Sequence, residues 1–123
     1  MLKPVKIHYR KNAKSLLLTY PEQEYALSAE FLRVHSPSAE VRGHGHQGAI
    51  LQVEKQDVGI LLIEPIGNYA LKFTFDDEHD SGIYTWEYLK DLCENHDKYW
   101  NEYLQALKKS GQKRQSNLIF KAK

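Results

Sequence analysis

The chain of 123 residues contains one cysteine, Cys93. A disulfide within one chain is therefore impossible, which fits a reducing cytosol. Neither sign of charge is in excess: 17 Lys and Arg face 16 Asp and Glu, for a net charge of +1. No strong global field draws the protein toward nucleic acid or a membrane surface. Long apolar runs are missing. The longest, Val58–Ile63, is interrupted by Gly59 and falls far short of the roughly 20 residues of a spanning helix. The N-terminus, MLKPVKIHYRKN, has no apolar segment of the signal-peptide kind. Cys-x-x-Cys, a Walker-type loop and G-x-S-x-G are all absent. No histidine is followed two positions later by an acid, and His79-Asp80 has the wrong spacing. The local H-x-D or H-x-E signature of a non-haem Fe(II) oxygenase is thus lacking. Internal repeats and low-complexity segments are lacking too.

What is present is ordinary globular material, 41% apolar and 27% charged, long enough for one modest core. Val5–Tyr9 alternates as a half-buried strand. Lys11–Lys14 forms a turn, Ser15–Tyr20 a second strand ended by Pro21, and Tyr25–Leu27 a third extended piece. Together they predict an antiparallel meander. Ser28 is placed to cap a short helix through Val34, which Pro37 stops. The polar stretch Ser36–Gln47, with Gly43 and Gly45, reads as a loop. Ile50–Val53 and Gly59–Ile63 are β-like, and Pro65 and Gly67 mark a turn. Asn68–Phe75 is the clearest strand. From Trp86 the period changes: Trp86, Leu89, Cys93, His96, Trp100, Tyr103 and Leu107 recur at spacings of three and four. This is one stripe of a long amphipathic helix, stopped near Lys108, Lys109 and Gly111. The predicted fold class is α+β, a small antiparallel sheet with a short helix and a long C-terminal helix. Residues 1–111 form one domain, and 112–123 a basic, flexible tail in which Leu118–Phe120 can dock as a strand.

Two segments concentrate chemistry, Leu32–Gln47 and Phe75–Trp86. In the second, Asp76, Asp77, Glu78 and Asp80 crowd around His79. Like charges this dense repel unless a cation, helix N–H groups or an arginine offsets them. Either the segment is a metal or cationic-ligand site, or it is a solvated turn capping the next helix, and the turn is the better supported of the two. In the first segment, His44-Gly45-His46 with His35 upstream can chelate zinc, iron or nickel. Exposed loop histidines are the plainer reading. Arg33 and Arg42 flank this loop and either bind an anion or pair with Asp76, Asp77 or Glu40. Tyr84 and Trp86 adjoin the acidic segment and complete the candidate binding surface with Arg33, Arg42, Asp76, Asp77 and Asp80. Cys93 and His96 lie on the helical stripe and read as core. The aromatics of that stripe are not interleaved with basic residues, as a single-strand nucleic-acid platform requires.

Three blocks, taken together, carry a resemblance: Phe31-Leu32-Arg33-Val34-His35-Ser36-Pro37-Ser38-Ala39-Glu40-Val41, then Val58-Gly59-Ile60 through Ile66-Gly67-Asn68-Tyr69-Ala70, then Phe75-Asp76-Asp77-Glu78-His79-Asp80-Ser81-Gly82-Ile83-Tyr84-Thr85-Trp86-Glu87-Tyr88-Leu89. Over roughly Pro4 to Arg114 the chain resembles the gamma-butyrobetaine hydroxylase-like N-terminal domain family, and in particular its standalone bacterial members. The resemblance implies a small α+β domain. In carnitine-pathway hydroxylases such a domain precedes the oxygenase and holds zinc through three cysteines and one histidine. Carried over, the cysteine positions fall on Ser36, Ser38 and Val41, and the histidine on His79. Three of the four ligands are therefore replaced, and a substitute site would combine His79 with His35, His44 or His46. The domain is also similar to a segment appended to some iron–sulfur cluster carrier ATPases, which implies a role in iron or iron–sulfur delivery.

Three functional expectations follow. The first is a non-catalytic, cytoplasmic binding or adaptor module whose partner is a protein, such as an iron–sulfur assembly or oxygenase component, with no role for nucleic acid or membrane. The second is a metal-binding protein anchored on His79, with zinc or iron as cofactor. The third is a complete enzyme in carnitine-type metabolism, which the missing H-x-D triad and the short length oppose, and a further alternative is the accessory domain of a carnitine-pathway-type oxygenase.

Overall fold

The computed structural model describes residues 2–37, 52, 54–77, 80–111 and 114, with the backbone alone at Asp80 and Ser81. Strands β1 (Lys6–Arg10), β2 (Ser15–Thr19) and β3 (Glu24–Ser28) form an antiparallel meander in that order. Side-chain period fixes its inner face. Tyr9, Leu16 and Leu27 lie opposite one another across the three strands, as do Ile7, Leu18 and Tyr25. Leu16, Leu18 and Leu27 are fully buried there. The β2–β3 turn is closed by mutual backbone bonds between Tyr20 and Gln23, with Pro21 in the position where its fixed φ suits a turn. Val5, predicted inside the first strand, precedes it and is exposed.

Helix α1 (Ala29–Val34) follows directly, and the Ser28 hydroxyl accepts from the Phe31 N–H at 3.0 Å. A six-residue helix is not stable alone. Burial of every one of its residues holds it in place.

A second antiparallel sheet comprises β4 (Ile60–Ile66), β5 (Ala70–Phe75) and β6 (Asp80–Thr85) in that order. Ile60, Leu71, Phe73, Phe75 and Tyr84 point to the core shared with the first sheet and α1. Pro65, expected to mark a turn, lies within β4 opposite Leu71. It is tolerated because β4 is an edge strand among the described residues, where a missing N–H interrupts no ladder. The register slips by one residue at Leu61, a bulge, and the turn itself is at Gly67–Tyr69. Strand β6 was not anticipated. Its register against β5 steps from Ile83 to Asp80 while β5 steps from Lys72 to Thr74. The extra residue is accommodated at Gly82, whose φ of +76° only glycine adopts at little cost.

The predicted single long helix is two helices, α2 (Trp86–Glu94) and α3 (His96–Ser110), separated at Asn95. Asn95 leaves the helical region (φ −114°, ψ 24°), and its amide donates to the Asp91 carboxylate at 2.7 Å. Thr85 caps α2 through the Tyr88 N–H, and Gly111 closes α3 in the left-handed conformation. Helix α2 buries Trp86, Leu89, Leu92 and Cys93 in the main core, whereas Tyr103 and Leu107 of α3 pack with Val34 in a second cluster. The strand expected over Ile50–Val53 falls mostly outside the described residues, and Gln52 is not in a strand. The tail beyond Gly111 also lies outside them, Arg114 excepted.

Candidate functional site

Helix α1 is buried on all sides yet carries two charges, Glu30 and Arg33, 5% and 4% exposed. Buried charges persist only when paired and hydrogen-bonded. Arg33 Nε donates to Asp77 Oδ2 at 2.9 Å, and its Nη1 donates to the Gln52 side-chain oxygen at 3.0 Å. Lys55 Nζ reaches the same Asp77 oxygen at 2.8 Å. Burial pushes the Asp77 carboxyl upward, but Lys55 and Arg33 outweigh it and hold the group below the usual carboxylate range. Asp77 is thus an ionised bridge between α1, the end of β5 and the segment before β4.

The last carbonyls of a helix lack intrahelical partners. Here two tyrosines from elsewhere supply them. The Tyr84 hydroxyl on β6 donates to the Leu32 carbonyl, and the Tyr88 hydroxyl on α2 donates to that of His35. His35 Nδ1 lies 2.9 Å from the Phe31 carbonyl. Burial disfavours its charged form and lowers its pKa. The structure therefore brings together the two segments singled out by sequence, the end of α1 and the turn after β5. A shallow cleft of about 210 Å³ opens beside Asp77, lined by Glu54, Lys55, Asp57, Val58 and Asp76. The Asp76 side chain is exposed at this rim.

Other expected site residues fall differently. Tyr84 and Trp86 are buried, so neither offers its ring to a partner. Tyr84 is a core residue, and Trp86 Nε1 donates to the Asn68 carbonyl at 2.8 Å. His96 packs its ring against Phe31 and Trp100, with Nδ1 3.0 Å from Asp97 Oδ1. Arg42, His44, His46 and His79 lie outside the described residues, as does the Asp80 side chain. Among the described residues no group of three or more His, Cys, Asp or Glu is arranged to hold a metal. At the positions where the resemblance implies zinc ligands, the donor set does not fit the ion. Ser36 is fully buried, with its N–H donating to the Arg33 carbonyl. Serine and valine supply no thiolate.

Sequence reasoning missed a second cluster. Lys90, on the buried side of α2, donates to Glu22 at 2.7 Å and sits 3.9 Å from the Tyr20 ring centroid. The buried Tyr20 hydroxyl has no conventional hydrogen-bond partner among the described residues, and the Cys93 thiol lies beside it. Burial pushes that thiol up to about 12, so it stays protonated and is no nucleophile at neutral pH. The readable signal was Lys90 one position from Leu89 on a helix with a narrow polar face. A broader groove of about 580 Å³ runs between β3 and the α2–α3 junction, bordered by Tyr25, Cys93, Asn95 and His96. No helix among the described residues is long and apolar enough to cross a membrane.

Comparison with known proteins follows the same lines. A protein with an NMR solution structure is 48% identical, covering 97% of this chain and 95% of its own, with a TM-score of 0.82. A second NMR solution structure is 38% identical, over 98% of this chain and 91% of its own, with a TM-score of 0.77. A crystal structure of a DUF971 family protein of unknown function from Acidithiobacillus ferrooxidans is 27% identical over 74% of this chain and 92% of its own, with a TM-score of 0.56. Curated proteins give no match. The family described as gamma-butyrobetaine hydroxylase-like, N-terminal, matches residues 7–90. With the α1 hub built from the first and third of the blocks that define the resemblance, the chain belongs to the gamma-butyrobetaine hydroxylase-like N-terminal domain family.

Proposed function

We propose that this domain is a non-catalytic adaptor, cytoplasmic in location, that docks a protein partner through the charged rim around Asp77. The observation that carries the reading is the Arg33–Asp77–Lys55 bridge. It commits the buried arginine to structure and fixes an acidic rim beside a shallow cleft. The rim mixes both signs of charge, Lys55 with Glu54, Asp57 and Asp76, as polar docking surfaces do. The chemically capable groups nearby are tied down: His35 and Tyr88 at the end of α1, Tyr84 in the core. This favours presentation of a surface over turnover of a substrate. A setting in iron or iron–sulfur handling rests on the family resemblance alone.

Rim charges act mainly on association rate and salt dependence. Affinity capture with the full chain is expected to recover a discrete protein partner, and Asp76→Lys to recover much less of it while melting at the same temperature. Equal recovery by the two proteins removes this rim from the reading. No partner at micromolar bait removes the adaptor function itself.

A further inference from the structure

The second charge buried in α1, Glu30, is satisfied from an unexpected direction. Its side chain is 6% exposed. Arg33, one turn along the helix, is committed to Asp77 and Gln52. The ion-pair partner of Glu30 among the described residues is instead Arg114, three positions past the glycine that closes α3. The guanidinium is forked: Nε donates to Oε2 and Nη2 to Oε1, both at 2.9 Å. Its carbon lies 5.3 Å from the Trp100 ring centroid. The Arg114 carbonyl accepts from the Gln56 N–H at 2.9 Å.

The two halves of this contact are unequal. The carboxylate and the indole belong to α1 and α3, and the carboxylate sits at the bottom of the contact. The arginine is 36% exposed and lies beyond Gly111, the residue that closes α3. One rigid, buried carboxylate, one aromatic face and one backbone donor are the parts of a receptor. The arginine-bearing segment is the ligand. We propose that Glu30, Trp100 and the Gln56 N–H form an arginine-recognition site, filled in cis by Arg114 and able to accept an arginine from an extended peptide segment in trans. The site selects arginine over lysine. A planar fork matches both carboxylate oxygens and stacks on the ring, whereas an ammonium is a compact point donor. Occupation in cis also sets a threshold. A tethered ligand has an effective concentration on the order of millimolar, so a segment in trans competes with wild-type protein only near that concentration.

The test uses the full chain carrying Arg114→Ala and a synthetic peptide with the sequence of residues 112–123, followed by backbone amide shifts around Gln56 and by the indole N–H shift of Trp100. Saturable binding is expected, with affinity lowered about tenfold or more when the arginine of the peptide is replaced by lysine. Wild-type protein should need a markedly higher peptide concentration for the same response. No saturation with the variant up to millimolar peptide, or equal binding of the arginine and lysine peptides, overturns the proposal. Arg114→Lys, which keeps a charge over Glu30, carries the same titration if the alanine variant does not fold. There, a rise in melting temperature with ethylguanidinium but not ethylammonium supports the site, and equal responses overturn it. Either failure leaves the Asp77 rim untouched, because the two sites share no side chain.

Discussion

Tyr20 places a hydroxyl in the core with a thiol beside it and no conventional hydrogen-bond partner among the described residues. An unsatisfied buried hydroxyl destabilises a fold, while the ring under Lys90 contributes through its apolar area and its π face. Tyr20→Phe removes the first and keeps the second. It is expected to leave stability unchanged or raise it by up to about 1 kcal/mol, read from urea denaturation; a loss larger than that would mean the Tyr20–Cys93 contact is a working hydrogen bond. His35 makes the opposite kind of prediction, one in pH. Burial lowers its folded-state pKa, so the unfolded chain binds the proton more readily and stability falls as pH drops below about 6.5. His35→Gln, which retains a donor for the Phe31 carbonyl, should flatten the melting-temperature profile between about pH 7 and pH 5. An unchanged slope would assign that pH dependence to other groups. Asp77 acts lower on the scale: its depressed pKa contributes stability that is lost as pH falls below about 4.

At the scale of elements, α1 is the point on which the fold turns, since its two buried charges reach the segments around Asp77 and Arg114. Removing one partner of a buried pair leaves the other charge uncompensated. Asp77→Asn should therefore destabilise by about 1–3 kcal/mol, the lower end reflecting partial exposure and the remaining Gln52 contact, while Lys55→Ala should cost a few tenths. Similar losses from both in thermal denaturation would show that Arg33 does not depend on Asp77. Much of this architecture was legible in the chain. The β1–β3 meander follows from alternation and from Pro21, and Ser28 announces α1. The rest was hidden for physical reasons. Asn95 is compatible with helix, and the three-and-four stripe runs straight through it, so spacing alone shows one helix where there are two. Strand β6 begins inside the acidic run and contains a bulge at Gly82, which breaks the alternation that would reveal it. Arg33 and Asp77 were both named as candidates, but they are 44 positions apart. Sheet register decides that they meet, and no local pattern encodes it.

At the scale of the whole molecule, the chain keeps the fold of its family and carries Ser36, Ser38 and Val41 where the resemblance implies zinc-binding thiolates. With Ser36 buried in the position of one of those cysteines, protein purified without a polyhistidine tag should contain zinc, iron and nickel well below one equivalent. A full equivalent of any of the three, retained through dialysis against a weak chelator, would return the metal reading to His79 and the loop histidines. Two neighbouring leucines at the rim of the second sheet, Leu61 and Leu62, are 69% and 49% exposed. On an open strand such a pair invites another copy to add itself as the next strand. Here the bulge at Leu61 throws the pleat out of step, and Pro65 withholds the N–H that an incoming strand would need. Among the described residues, strand β4 is in this respect a terminator: it presents greasy side chains without a regular template on which another copy could extend the sheet.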